Sequence, residues 1–181
     1  MLTPVTTYYL EMTDRAQLRP KGSSRTDLEF QRVEPPDPSI NCIFYQEVGR
    51  AWQWRDRLPW TAEQWKGYVE RLELQTWIAR VGGTAAGYAE LELQADRNVE
   101  IVYFGLLPAF LGQGLGGHFL TETVERAWGL AADRVWVHTC SLDHPAALAN
   151  YLARGFRQFR EETSNQQFSR DLDIKGSDIL S

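Results

Sequence analysis

Hydrophobic and polar positions change their period repeatedly along the chain, and each change marks an element. Residues 5–12 alternate loosely and are rich in β-branched and aromatic side chains, the pattern of a first strand. A polar loop over 20–25 leads to a second short strand near 28–33. Pro35-Pro36-Asp37-Pro38 then breaks the chain and sets a helix start near Ser39, after which Ile40, Phe44, Tyr45 and Val48 recur at helical spacing. A second break, Leu58-Pro59-Trp60-Thr61, offers Thr61 as N-cap with Gln64 three residues on. That capping box predicts a helix to about Leu72.

From residue 76 the period becomes two. Strands are predicted over 76–81 and 86–93 around a Gly82-Gly83 hairpin turn, and a further turn at Asp96-Arg97-Asn98 opens a strand at Val99. Leu115, Phe119, Leu120, Val124, Ala127 and Trp128 then line one face of a helix, and 134–139 reads as a buried strand. Pro145 is expected in the first turn of a helix with Ala147, Leu148, Tyr151 and Leu152 inward and Gly155 at its end. Residues 156–160 and 166–169 are expected to form a last strand pair, and 171–181 a polar tail. This order gives one domain over 1–170, of α/β or α+β class.

The stretch 99–120, VEIVYFGLLPAFLGQGLGGHFL, carries the chemistry. Gly112, Gly114, Gly116 and Gly117 stand where strand turns into helix, so bare backbone amides meet the positive end of a helix dipole and form an anion site. Gly112-x-Gly114-x-x-Gly117 formally matches a dinucleotide fingerprint. However, five residues separate it from the strand, and the next strand runs into Cys140 and Ser141 without the acidic residue that would hold a ribose. A phosphate-binding P-loop is excluded because no Lys-Ser or Lys-Thr follows the glycines.

Pro108-x-x-Leu111-Gly112-Gln113-Gly114-Leu115-Gly116 closely resembles motif A of the GNAT acyltransferases. His144-x-x-Ala147-x-x-x-Tyr151-x-x-x-Gly155-Phe156 resembles their motif B at the required distance, and the two together span about residues 76–159. The chain departs from the family pattern twice. Leu111 stands where Arg or Gln is usual, and His144 where Asn is usual. The resemblance implies the GNAT fold, an α+β arrangement with a mixed, splayed sheet flanked by helices. It implies an N-acetyltransferase that moves the acetyl group of acetyl-CoA to a primary amine of a small molecule or peptide. A non-catalytic acyl-CoA-binding or sensing module is the alternative. Cofactor contacts are expected from Leu106, Leu111, Gly112, Gln113, Gly114, Leu115, Gly116, Gly117 and His144.

Direct transfer needs a group to take the amine proton and a group to protonate the leaving thiolate. The run from Glu100 to Leu106, EIVYFGL, resembles the strand of the histone-acetylating branch, which gives Glu100 the role of general base. Tyr151 matches the family tyrosine that serves as general acid. His138 lies in a strand beside the expected gap as a candidate to assist or to bind substrate, and His118 lies in the first turns of the phosphate helix. Trp52, Trp54, Trp60 and Trp65 crowd the segment that walls the acceptor site in this family. At least two of them are expected to be packing only.

A net charge of −5 argues against nucleic acid as partner. No apolar run approaches the ~20 residues of a membrane span, and no signal peptide opens the sequence. Two cysteines point to a reducing cytoplasm, and three histidines without ligand spacing give no metal site. Oligomeric state is left open, a homodimer included.

Overall fold

The computed structural model of the protein describes residues 2–167. Seven strands and four helices follow in the order β1 (Leu2–Met12), β2 (Leu28–Arg32), α1 (Pro38–Gly49), α2 (Ala62–Val69), β3 (Leu74–Val81), β4 (Thr84–Leu93), β5 (Asn98–Leu106), α3 (Gly116–Gly129), β6 (Arg134–Cys140), α4 (Ala147–Ala153) and β7 (Arg157–Gln167). All strands join one sheet in the order β2-β3-β4-β5-β6-β1-β7. Every neighbouring pair is antiparallel except β5 and β6, which run parallel.

That parallel seam is short. Residues 98–101 pair with 134–137, and the pairing stops at Ile101 and Val137. Beyond it β5 stays on β4 as far as Leu106, and β6 stays on β1 as far as Cys140. The two strands therefore part like the arms of a V. An extra residue in β5, Val102, interrupts its register with β4 where the parting begins, and such a bulge bends and twists a strand locally.

Helices cover both faces because the strands alternate. Leu91, Val99, Ile101, Val135 and Val137 turn to α3 and α4, meeting Leu120, Val124, Ala127 and Tyr151. On the other face Ile78 and Tyr88 receive Phe44 and Val48 of α1, while Leu74 packs with Tyr45, Trp65 and Val69. Burying each large apolar side chain contributes about 1.5–3 kcal/mol. Glu90 is fully buried beneath α1, where its carboxylate accepts from Tyr68 Oη at 2.6 Å, Asn41 Nδ2 at 2.8 Å and Arg57 Nη1 at 3.3 Å. Arg57 lies over the rings of Tyr68 and Tyr103, 3.8 and 4.6 Å from their centroids. It fixes the segment between α1 and α2 to the sheet.

The mixed sheet flanked by helices is the arrangement the resemblance implies, and Thr61 and Gln64 form the expected capping box. Strands β1, β3 and β4 start two or three residues earlier than expected, and four further readings differ. Helix α2 ends at Val69, because Arg71 Nε caps the Tyr68 carbonyl at 3.0 Å and the chain turns, leaving Leu72 in solvent. Pro145 precedes α4 in a turn. Strand β6 is only half buried: Val135, Val137 and Thr139 point inward while His138 is exposed. The expected final strand pair is one long strand, β7, on the outer edge of β1. The predicted domain end at 170 and the tail 171–181 lie outside the described residues.

Candidate active site

The V between β5 and β6 opens into a cleft of about 710 Å3. At one end lies the glycine segment. Gly112 and Gly114 both hold φ of +74°, a left-handed conformation that favours glycine, and a Cβ at either would meet nothing within 4 Å. The loop therefore presents backbone to open space. Leu115 begins α3 with no side-chain cap, so the amides of the first turn have no partner within the helix.

Two cations stand beside these amides, and the sequence pattern did not single them out. Lys21 and Arg154 both line the cleft. A Cβ on Gly117 would lie 2.4 Å from Arg154 Nη1 and 2.6 Å from Lys21 Cδ, so the missing side chain makes their room. Arg154 Nε is buried without a hydrogen-bond partner among the described residues. Neither cation is in an ion pair among those residues, although both reach the positive end of α3, Arg154 from its place at the C-terminus of α4. This concentration of positive charge is unfavourable until an anion enters. The two residues are 133 positions apart, which is why no local spacing revealed them.

Tyr151 projects from α4 into the cleft and is buried between Phe104 and Phe156. Burial, and secondarily the charge of Asp143, raise its phenol far above the ordinary tyrosine value, so it keeps its proton at neutral pH. Opposite, Trp54 is seated by two glycines: a Cβ on Gly49 would meet it at 2.5 Å, and its ring edge lies 3.8 Å from where a Cβ of Gly105 would be. Its indole Nε1 donates to Asp143 Oδ1 at 3.0 Å, bridging the segment after α1 to the loop after β6. The other carboxylate oxygen accepts from Thr139 Oγ1 at 2.7 Å and the Cys140 amide at 2.9 Å. Trp52 meets the His144 ring edge-on at 4.8 Å.

Most of the expected site residues therefore gather here. Leu106, Leu111, Gly112, Gly114, Leu115, Gly116, Gly117, His144 and Tyr151 all line the cleft. Gln113 instead turns back to donate to the Ala109 carbonyl at 2.8 Å. Glu100 stands behind His138, 3.3 Å from its Nδ1, and only His138 of the two lines the cleft. His118 contacts the Lys21 carbonyl at 3.3 Å. Of the four crowded tryptophans, Trp52 and Trp54 line the cleft, whereas Trp60 and Trp65 pack against each other and Tyr68. Among the described residues no group of three or more His, Cys, Asp or Glu is placed to hold a metal ion, and no helix is long and apolar enough to cross a membrane.

The sequence profile of the Acetyltransferase (GNAT) family matches residues 39–156. No curated protein sequence matches the chain. Among solved structures, a GCN5-related N-acetyltransferase from Kribbella flavida superposes with a TM-score of 0.66 at 16% identity, covering 93% of this chain and 61% of its own. Another, from Sphaerobacter thermophilus, gives 0.68 at 15% identity, covering 91% of this chain and 53% of its own. An aminoglycoside acetyltransferase from an uncultured soil metagenomic sample, in complex with trehalose, gives 0.60 at 14% identity over 73% of this chain and 90% of its own. At these identities the likeness is one of fold, and the chain spans little more than half of the first two proteins.

Proposed function

Since the chain belongs to the GNAT acetyltransferase family, we propose that it transfers the acetyl group of acetyl-CoA to a primary amine of a small molecule or peptide. The observation that carries this reading is the continuity of one cleft, from uncapped amides and the cations Lys21 and Arg154 to a protonated, buried tyrosine. The residues present fit the ligand. Amides from Gly112 to Gly117, with Lys21 and Arg154, suit its phosphates, whereas the Leu111 amide is taken by the Pro108 carbonyl at 3.2 Å. Residues 102–106 of β5 have lost their β6 partner, so their backbone groups suit the amides of an extended arm. When bound, acetyl-CoA supplies an activated thioester. Tyr151 holds the proton for the departing sulfur, Glu100 supplies the negative charge that favours amine deprotonation, and Trp52 and Trp54 wall the acceptor. The free thiols Cys42 and Cys140 agree with a cytoplasmic location.

The test is thiol release by the purified protein with acetyl-CoA against a panel of amines. Amine-dependent release supports the transferase. Tight acetyl-CoA binding without release from any amine would leave the sensing module. Within the transferase, Tyr151→Phe is expected to keep acetyl-CoA affinity and lower kcat by about 10²-fold, checked by steady-state kinetics at matched melting temperature. An unchanged kcat removes Tyr151 from the chemistry. Trp54→Ala is expected to raise the acceptor KM roughly twofold to thirtyfold, equivalent to about 0.5–2 kcal/mol of cation–π attraction, with acetyl-CoA Kd unaltered. A loss of stability with normal kinetics would mark Trp54 as packing.

A further inference from the structure

We propose that His138 is the group that takes the acceptor's proton, with Glu100 positioning and charging it from behind. This rests on the transferase reading but departs from the histone-acetylating branch that the strand resembles, where the glutamate takes the proton. The Glu100 side chain is only 12% exposed and the His138 side chain 47%. Oε2 of Glu100 accepts from Gln94 Nε2 at 2.7 Å, and Oε1 makes a charge contact with His138 Nδ1 at 3.3 Å. Gln94 is itself held by Trp136 Nε1, which donates to its Oε1 at 3.0 Å. The carboxylate is therefore locked in a polar chain that ends on the imidazole. His138 is the first residue of β6 beyond the last β5 pair, so its ring stands where the V opens.

The arrangement has a chemical consequence. A carboxylate oxygen 3.3 Å from Nδ1 favours the tautomer with hydrogen there, which leaves Nε2 with a lone pair. As a chemical class an imidazole is also a stronger base than a carboxylate, so it accepts the proton of the attacking amine more readily. The other groups around the ring do not compete. Tyr9 of β1 lies 5.9 Å away, centroid to centroid. Burial and Glu162 hold its phenol above the ordinary value, so it stays neutral. Arg160 and Glu162 of β7, beyond Tyr9, pair with each other. On β6 itself Trp136 is uncharged, and burial pushes the Cys140 thiol up.

In the step, the amine lone pair forms the bond to the acetyl carbon while its N–H proton passes to His138 Nε2. The carbon–sulfur bond breaks with its electron pair on sulfur, which takes the Tyr151 proton. His138 then yields its proton to solvent and Tyr151 regains one, so amine and thioester become amide and thiol.

The experiment follows thiol release against pH, with acetyl-CoA and the best of spermidine, tyramine and a tripeptide with a free N-terminus. In wild type, log kcat/KM should rise with a slope of about two in acid, where base and amine both titrate, and about one above the imidazole range. His138→Gln should lower kcat/KM roughly 10²–10³-fold and leave a slope of about one throughout. Glu100→Gln should lower it roughly tenfold and keep the break, and the double variant should be no worse than His138→Gln. A break that persists in His138→Gln and vanishes in Glu100→Gln overturns the inference and makes the glutamate the direct base. Wild-type protein that acetyl-CoA stabilises, but that releases no thiol with any of the three amines, overturns the transferase reading itself and this step with it.

Discussion

Gly114→Val should abolish the stabilisation of the protein by acetyl-CoA. At a concentration of 100 times Kd, wild type gains about 2.7 kcal/mol from a bound ligand. For a chain of this length that is a melting shift of roughly 5–10 °C. Valine at position 114 has open space around its Cβ, so the fold meets no clash. It does meet a φ of +74°, at about 1–2 kcal/mol, and its methyl groups stand over the amides that the phosphates would use. Replacing both Lys21 and Arg154 with alanine acts on the same affinity by another route. It removes charge while the amides remain, so Kd should rise and depend less steeply on salt. A full thermal shift in Gly114→Val would place the ligand elsewhere.

The second large effect is on stability. Glu90→Leu or Arg57→Leu leaves a buried charge without its partner and should cost about 3–5 kcal/mol, a fall in Tm of roughly 6–20 °C. Replacing both should recover much of that loss, because neither charge is then stranded. Burial dominates the carboxyl of Glu90 and raises its pKa, so the folded state holds that proton more tightly than the unfolded chain does. Its contribution to stability therefore falls as pH rises from the ordinary carboxylate value upward. Wild type should lose ground to Glu90→Gln in that direction, as denaturant titrations at several pH values would show. Single variants as stable as wild type would mean that the pair contributes nothing to stability.

Local signals were legible and distant ones were not. Thr61 with Gln64, Gly82-Gly83 and the glycines after Pro108 each act within a few residues, so spacing alone identifies the capping box, the hairpin and the phosphate loop. The continuity of β7 through residues 161–165 escaped because its described residues are exposed on both faces, so it has no period to read. In the site, Tyr151 was reached through its motif. The Trp54–Asp143 bond and the meeting of Lys21 with Arg154 depend on which chain segments the sheet order brings together, and neither leaves a trace in either neighbourhood. Glu100 was legible as a carboxylate at the right strand position. That His138 stands between it and the cleft follows from the parallel register of β5 and β6, which only the fold displays.

Where β5 and β6 part, each keeps a row of backbone donors and acceptors turned toward the other with no strand between them. A bare strand edge on the outside of a protein is a template on which other copies can aggregate. Here the two bare edges face inward across a wedge whose sides are tied by Trp54 and Asp143. Another chain cannot lie flat along either without prying that tie apart. The fold thus keeps sheet edges without a neighbouring strand, which would be a liability at the surface, in a place that admits a slender molecule and turns away a polypeptide strand.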